Sequence, residues 1–310
     1  MNTEQPADTR RSPVTTPINW VQIDASKAPI KRTRIDHWIV GAAVLGALAW
    51  IAWAFFTNPR VDWGVFGQYL FSPRILQGLL VTIQLSLIAM VIATVVGFLI
   101  AMLMRSSNPV LRGFASAYVG FFRGLPLLVL LLFTYNLALF APSIDIGFPP
   151  VFGVSIDTNS FITGFTAAII GLAVHESAFM AEIIRGGLLA VPAGQVEAAQ
   201  ALGMRRRQAM LTIVMPQAIR VIIPAAGNLF ILLLKASSLV AVIGGGELLT
   251  MAQRIYGQNF QVIPLLLVVS FWYLVLVIVA SVGQKVLESR MARGVAGSPR
   301  PTTIAKEETL

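Results

Sequence analysis

Long uncharged apolar runs constrain the fold of this chain more than any other feature of its sequence. A helix needs about 20 consecutive apolar residues to cross the hydrocarbon core of a bilayer. The runs Trp38–Phe56 and Ile75–Met104 approach or exceed that length without a charge. Charged residues make up only 12% of the chain, about half the share found in soluble domains. The sequence therefore predicts an integral membrane protein.

Six apolar segments are predicted to span the membrane as helices, which makes the predicted fold class all-α. They are Trp38–Phe56, Ile75–Met104, Gly113–Phe140, Thr158–Ile184, Ile213–Leu234 and Val262–Gln284. The third segment contains Gly124-Leu125-Pro126, where we expect an interruption because proline does not fit inside a regular helix. The fourth segment is expected to end at Gly186-Gly187, because glycine is a poor helix former.

Lysine and arginine residues are distributed unevenly between these segments. The N-terminal tail contains six, the interval after the second segment three, the interval after the fourth five and the C-terminal tail five. The remaining intervals together contain four of the 23. Because basic residues concentrate on the cytoplasmic side, both termini are predicted to be cytoplasmic. A nucleic-acid-binding surface would instead gather basic and aromatic residues on one soluble element.

The two ends of the chain carry no apolar segment. Residues 1–37 are predicted to form a disordered cytoplasmic tail, and residues 289–310 a second cytoplasmic tail. No small-x-small cleavage site follows the first apolar run, so we interpret that run as a retained signal anchor. The chain contains no cysteine, which excludes disulfide bonds, thiolate metal sites and cysteine nucleophiles.

The connection between the fourth and fifth segments, residues 186–215, is longer than two adjacent spans require. Gln195–Leu202 is rich in strong helix formers, and Gly203 directly after it is a typical helix-ending residue. A second helix is predicted from Arg205 towards Pro216. Two helices joined by a glycine form an elbow whose small residues permit close approach of a partner. The alternative is an amphipathic helix that lies in the membrane interface.

This elbow resembles the EAA motif of permease subunits of ABC importers, which reads E-A-A, three residues, G, nine residues, I-x-L-P. Here Glu197-Ala198-Ala199 is followed by Gly203 and then by Ile213-Val214-Met215-Pro216. Only Met215 departs from the pattern, and methionine replaces leucine with little change in volume. The resemblance assigns coupling to an ATPase to five residues: Glu197, Ala198, Ala199, Gly203 and Pro216.

Three further segments are similar to the polar amino-acid uptake family of these permeases. Phe122–Leu128 is similar to F-R-G-T-P-L-L, with Leu125 in place of threonine, and Ala178–Gly187 is similar to A-Y-x-A-E-x-x-R-G-G. Leu234–Leu239 follows the family's K-D/N-T/S-S-L, except that Ala236 removes a polar side chain. The resemblance covers about residues 70–288, which are predicted to form the permease domain.

The resemblance implies a type I ABC importer fold, in which Trp38–Phe56 is an extra helix before a core of five. It also implies a second permease copy or homologue, an ABC ATPase dimer, an extracytoplasmic solute-binding protein and a polar amino acid as substrate. The outer loops and Gly244–Gln261, with Glu247, Arg254 and Tyr256, are expected to dock the binding protein.

The chain is expected to be a transport subunit without its own ATPase site, because it has no phosphate-binding loop of the form G-x-x-x-x-G-K-[ST]. Gly244-Gly245-Gly246 is followed by Glu247 and Leu248 instead. The energy for transport must therefore come from a separate ATPase. No catalytic residues and no cofactor are predicted, and His175 has no partners at metal-ligand spacing.

Polar side chains inside membrane spans are costly and often functional. Glu176 is a candidate for binding an amino or cationic group of the substrate, or for pairing across a subunit interface. It is not expected to share its surroundings with His175, because adjacent helical residues point about 100° apart. Glu182 and Arg185 are predicted to form a structural ion pair. Further candidates for the substrate pathway, or for interhelical contacts, are Asn228, Ser237 and Ser238.

Two other classes of protein fit parts of the sequence. An ion-coupled secondary carrier for small polar solutes would use Glu176 and Glu182 as its ionisable groups. A membrane enzyme is disfavoured, because both histidines are isolated from other reactive side chains. The identity of the substrate, and the choice between two identical or two different permeases, do not follow from the sequence.

Overall fold

The computed structural model describes residues 35–59, 61–148 and 152–292. Most of both predicted tails therefore lies outside the described residues. The described ends of the chain are helical: the first helix begins at Ile35 and the last ends at Ala292. Both ends extend a few residues into the predicted tails. The chain divides into two compact units, residues 1–58 and 59–310, which are described separately.

The first unit contains a single described helix, α1, Ile35–Phe56. Apolar residues cover it on all sides, and Trp38, Trp50 and Trp53 are exposed. A helix that is apolar all round is typical of a membrane span. The first predicted segment is confirmed as a helix of sufficient length and hydrophobicity.

The second unit is predominantly helical. Its described elements are α2 (Trp63–Leu70), α3 (Pro73–Met104), α4 (Pro109–Gly124), α5 (Leu127–Tyr135), α6 (Leu137–Phe140), β1 (Ser143–Phe148), β2 (Phe152–Asp157), α7 (Thr158–Phe161), α8 (Gly164–Leu189), α9 (Ala193–Ala201), α10 (Arg206–Ala209), a π-helical turn (Met210–Val214), α11 (Met215–Ala236), a 3₁₀ segment (Ser237–Ile243), α12 (Leu248–Asn259) and α13 (Val262–Ala292).

Five stretches of the described helices are long and apolar enough to cross a membrane, and a bent pair of helices makes a sixth. The bent pair is α4 with α5, whose axes differ by 100°. The break lies at Leu125 and Pro126, where proline forces the preceding residue into an extended conformation. The predicted count of about six spans and the predicted interruption are both confirmed.

Helix α8 lies at the centre of the second unit and is the most buried of the spans. Small residues let its neighbours approach closely. A β-carbon on Gly97 of α3 would lie 2.8 Å from the β-carbon of Met180 and from the carbonyl oxygen of Ser177. Helices α3 and α8 therefore pack almost backbone to backbone at this point.

The predicted limits of the fourth span were wrong at both ends. Thr163 caps α8 by accepting a hydrogen bond from the backbone N–H of Thr166, and the Thr166 hydroxyl accepts one from Thr163 N–H in return. This capping box separates α8 from the short helix α7. At the other end α8 continues past Gly186-Gly187 to Leu189.

Two elements of the second unit were not predicted. Strands β1 and β2 form an antiparallel hairpin in which Ser143 pairs with Asp157 and Phe148 with Phe152. Most of helix α2 precedes residue 70, where the predicted permease domain begins. The helix packs against α13, and the Trp272 indole N–H donates to the carbonyl oxygen of Leu70 at 2.8 Å.

Candidate coupling and translocation sites

The elbow between α8 and α11 turns at Gly203. Helix α9 ends with two backbone hydrogen bonds, from Gly203 N–H to Gln200 O at 2.9 Å and from Met204 N–H to Ala199 O at 3.0 Å. Gly203 has a φ of +74°, which places it in the left-handed region that glycine adopts without strain. These features define a Schellman motif. The prediction that Gly203 ends this helix is confirmed.

The second arm of the elbow runs into α11 without a loop. Between α10 and α11 the helix widens into a π turn, in which Met215 N–H donates to Met210 O. Pro216 follows directly, and a proline ring collides with the carbonyl four residues before it in a regular α-helix. The wider turn accommodates the ring, as π-bulges do. Pro216 therefore lies in the first turn of α11 and does not end the second helix.

Three of the five predicted coupling residues lie on α9, and they face two different sides of this helix. Glu197 and Ala198 are exposed, whereas Ala199 is buried. The Gln217 side-chain amide on α11 donates hydrogen bonds to the side-chain oxygen of Gln195 and to Ile213 O. Helix α9 is therefore fixed to α11 on one side and leaves Glu197 and Ala198 accessible on the other.

The predicted ion pair near the C-terminal end of α8 is present. Arg185 Nη2 lies 2.6 Å from Glu182 Oε2, and Arg185 Nε lies 3.1 Å from the same oxygen. Both side chains are partly exposed. Pairs of this kind contribute little stability when water reaches them, so the contact orients the two side chains more than it holds the fold.

A small cavity lies between α8, α11 and the start of α5. It has a volume of about 180 Å³, and Glu176 and His175 both line it. Glu176 is 5% exposed, and its Oε1 lies 3.0 Å from His175 Nδ1. The expectation that these adjacent residues have different surroundings was wrong. The cavity wall is completed by Leu127, Phe179, Leu229, Leu232 and Ala236.

The break in the third span lies beside this cavity. Leu127, the first residue of α5, belongs to the cavity wall. The guanidinium carbon of Arg123, near the end of α4, lies 5.3 Å from the ring centre of Phe179, which is a cation–π distance. Interrupted helices of this kind commonly form substrate sites in transporters.

The other predicted substrate-pathway residues do not line this cavity. Asn228 Oδ1 accepts a hydrogen bond from Gln284 Nε2 on α13 at 3.0 Å. The hydroxyl of Ser237 donates to Leu234 O, and that of Ser238 donates to Lys235 O. The structure therefore gives Asn228 an interhelical contact and the two serines bonds within their own turn.

Glu247 has a structural position that the sequence did not predict. Its side chain is fully buried and caps α12 by accepting hydrogen bonds from Leu249 N–H, Thr250 N–H and the Thr250 hydroxyl. Burial raises the pKa of this carboxyl group, and the hydrogen bonds act in the opposite direction. Glu247 is therefore not available to dock a binding protein, whereas Arg254 is exposed.

Comparison with known proteins decides the family. Residues 93–293 match the family described as "Binding-protein-dependent transport system inner membrane component". The chain belongs to this family. The match includes the elbow, the residues of the small cavity and the last three spans. Members of this family are permease subunits of ABC importers, so this chain is a multi-pass inner-membrane permease, and the ion-coupled carrier is not favoured.

Two curated relatives illustrate the similarity. The chain is 38% identical over 275 residues to "Arginine transport system permease protein ArgU" of Corynebacterium glutamicum, a match that covers 87% of this chain and 85% of the relative. It is 35% identical over 212 residues to "Probable glutamine ABC transporter permease protein GlnM" of Bacillus subtilis, covering 68% and 90%. These relatives confirm the resemblance to amino-acid permeases.

A solved structure shows that the fold is shared as well. The chain is similar to the structure described as "Crystal structure of an amino acid ABC transporter with histidines", with a TM-score of 0.64 and 35% sequence identity. The match covers 74% of this chain and 99% of that one. The predicted type I importer fold of the permease core is therefore confirmed.

Proposed function

We propose that this permease imports polar or charged amino acids by alternating access, without chemistry on the substrate. A separate ABC ATPase dimer supplies the energy, an extracytoplasmic binding protein delivers the substrate, and a second permease copy or homologue completes the pore. Both termini lie in the cytoplasm, on the side of the elbow. The observation that carries this proposal is the capped elbow at Gly203, which leaves Glu197 and Ala198 exposed.

The geometry provides a route from the elbow to the small cavity. Helix α9 is held to α11 through Gln217, so a partner that moves α9 also pulls on α11. The same helix contributes Leu229, Leu232 and Ala236 to the wall beside Glu176. Helix α11 runs without interruption from Met215 to Ala236, although Pro224 removes one of its backbone hydrogen bonds, so a displacement of its first turn is carried towards the cavity. Closure of the ATPase dimer would therefore change the shape of the cavity.

The buried carboxylate of Glu176 suits a cationic substrate group. A carboxylate inside a membrane protein needs a positive partner, and His175 is the group nearest to it among the described contacts. An amino or guanidinium group of a substrate would be a stronger partner for this carboxylate. The names of two relatives, an arginine permease protein and a probable glutamine permease protein, support an amino acid as the substrate.

Transport into right-side-out membrane vesicles that contain ATP tests the energy source. We expect uptake of a labelled polar amino acid to stop with vanadate and to continue with an uncoupler, because the ATPase and not an ion gradient drives the cycle. Vesicles from cells that lack this permease give the background. Uptake that survives vanadate and stops with the uncoupler would instead support a carrier that uses Glu176 and Glu182.

A further inference from the structure

A second and larger cavity lies between the elbow and the ends of the spans. Its volume is about 500 Å³, and residues from α8, α9, α10 and the π turn line it together with Arg105. Arg105 follows directly after α3. The cavity therefore connects the end of one membrane span with both arms of the elbow.

Two arginines give this cavity a positive side. Arg105 and Arg206 both line it, and both are exposed. Among the described residues, His175–Glu176 and Glu182–Arg185 are ion pairs that leave both cavity arginines out. Neither Arg105 nor Arg206 is paired with a carboxylate there. Two guanidinium groups beside one cavity favour an anionic ligand, and a phosphate group suits them because a guanidinium binds it through two parallel hydrogen bonds.

The rest of the wall is largely apolar. Leu188, Val196, Met210 and Val214 line the cavity, and Leu188 and Val214 are buried. A free phosphate ion gains nothing from such a wall, because it has no apolar surface to bury. A phospholipid has both parts, a phosphate for the arginines and a glycerol backbone with acyl chains for the apolar side chains.

The position of the cavity relative to the membrane also favours a phospholipid. Arg105 follows a 32-residue helix that is long and apolar enough to span the membrane, so its guanidinium lies at the level of lipid headgroups. The distribution of basic residues places this end of α3 on the cytoplasmic side. Basic pockets between spans on that side bind anionic headgroups.

We propose that this cavity binds the phosphate group of an anionic phospholipid from the cytoplasmic leaflet. The lipid bridges Arg105 at the end of α3 and Arg206 on the second arm of the elbow. It thereby holds the elbow against the membrane core and makes the coupling geometry sensitive to the lipid composition. This site is separate from the exposed residues Glu197 and Ala198, which do not line the cavity.

Lipid binding to the full-length chain in a neutral detergent tests the proposal without ATPase or substrate. The probes are short-chain phosphatidylglycerol, short-chain phosphatidylcholine and inorganic phosphate, and native mass spectrometry measures the bound fraction. We expect the wild type to bind phosphatidylglycerol more tightly than phosphatidylcholine. The double variant Arg105→Gln/Arg206→Gln should bind it about 30-fold more weakly, since each arginine near a headgroup contributes about 1 kcal/mol.

The matched control is Arg112→Gln/Arg207→Gln. It removes the same charge from the same side of the membrane, but neither residue lines the cavity, so its affinity should stay within about twofold of the wild type. Thermal unfolding without lipid checks that both double variants fold. Equal loss in both variants, no preference of the wild type for phosphatidylglycerol, or equally tight binding of inorganic phosphate would each overturn the proposal. Where the double variant fails to fold, the single variants Arg105→Gln and Arg206→Gln replace it, and each should bind phosphatidylglycerol about fivefold more weakly than the wild type.

Discussion

Replacing Gly203 with valine is expected to reduce ATP-driven uptake at least about tenfold. Gly203 turns the elbow at a φ of +74°, and an L-residue in this left-handed conformation costs about 1–2 kcal/mol. A β-branched side chain is strained there more than most. Valine therefore opens the turn and changes the direction in which α9 presents Glu197 and Ala198. The measurement is the initial rate of uptake in vesicles at equal permease content.

The control for this substitution is Gly203→Asn. Asparagine adopts the left-handed conformation more readily than other residues with a side chain, and nothing lies within 4 Å of the position that a β-carbon would occupy. We expect the asparagine variant to retain most of the uptake. Equal uptake by the valine variant, or equal loss in both variants, would show that the backbone conformation of Gly203 does not set the coupling geometry.

Replacing Gly187 with valine should destabilise the packing of α8 against α11 strongly. A β-carbon on Gly187 would lie 3.0 Å from Ile222 Cδ1, closer still to Ile222 Cγ1, and 3.2 Å from the backbone oxygen of Ala218. Isoleucine is stiff at χ1 and cannot swing away. Overpacking of this kind typically costs about 1–3 kcal/mol, and the second methyl group of valine adds to the collision.

The adjacent residue supplies a matched control. Gly186 lies on the same helix, but a β-carbon there would meet nothing within 4 Å. Valine and glycine have similar, low helix propensities, so Gly186→Val should leave the unfolding temperature nearly unchanged. For Gly187→Val we expect a fall of about 6 °C or more in detergent. A similar unfolding temperature for both variants would contradict the close packing of α8 against α11.

The membrane spans could be predicted from the sequence because each one is a long apolar run. Their ends could not, because tertiary contacts decide them. Gly186-Gly187 suggested a helix end by propensity alone, yet Gly187 is required where α11 packs closely on α8. The end of α9 was predictable because Gly203 acts locally, through its own backbone conformation.

The candidate site was predicted less completely than the fold. The side chains of adjacent helical residues point in different directions, so different surroundings were expected for His175 and Glu176. Both line one cavity because α11 and the start of α5 form the rest of its wall. Glu247 looked like an exposed acidic residue in an outer loop, but it is a buried helix cap. No pattern in the sequence reveals which helices bury a given polar residue, so these assignments required the structure.

The elbow, α11 and the small cavity form a continuous path through one part of the molecule. The elbow begins directly after α8, the helix that carries Glu176, and ends in α11, which forms the opposite wall of the cavity. An ATPase bound at the elbow would therefore act on both walls at once. If the proposed ATPase binds at the elbow, this arrangement would let a chain without its own phosphate-binding loop use the energy of ATP.

The most direct test of this account is a cross-link from Ala198 to the ATPase. The chain contains no cysteine, so Ala198→Cys introduces its only thiol, to which a maleimide photo-cross-linker can be attached. In the assembled transporter we expect illumination to join this position to the ATPase subunit, whereas Ser160→Cys, at the predicted outer end of the fourth span, should give no such product. An intact complex in which Ala198→Cys fails to reach the ATPase would contradict the account.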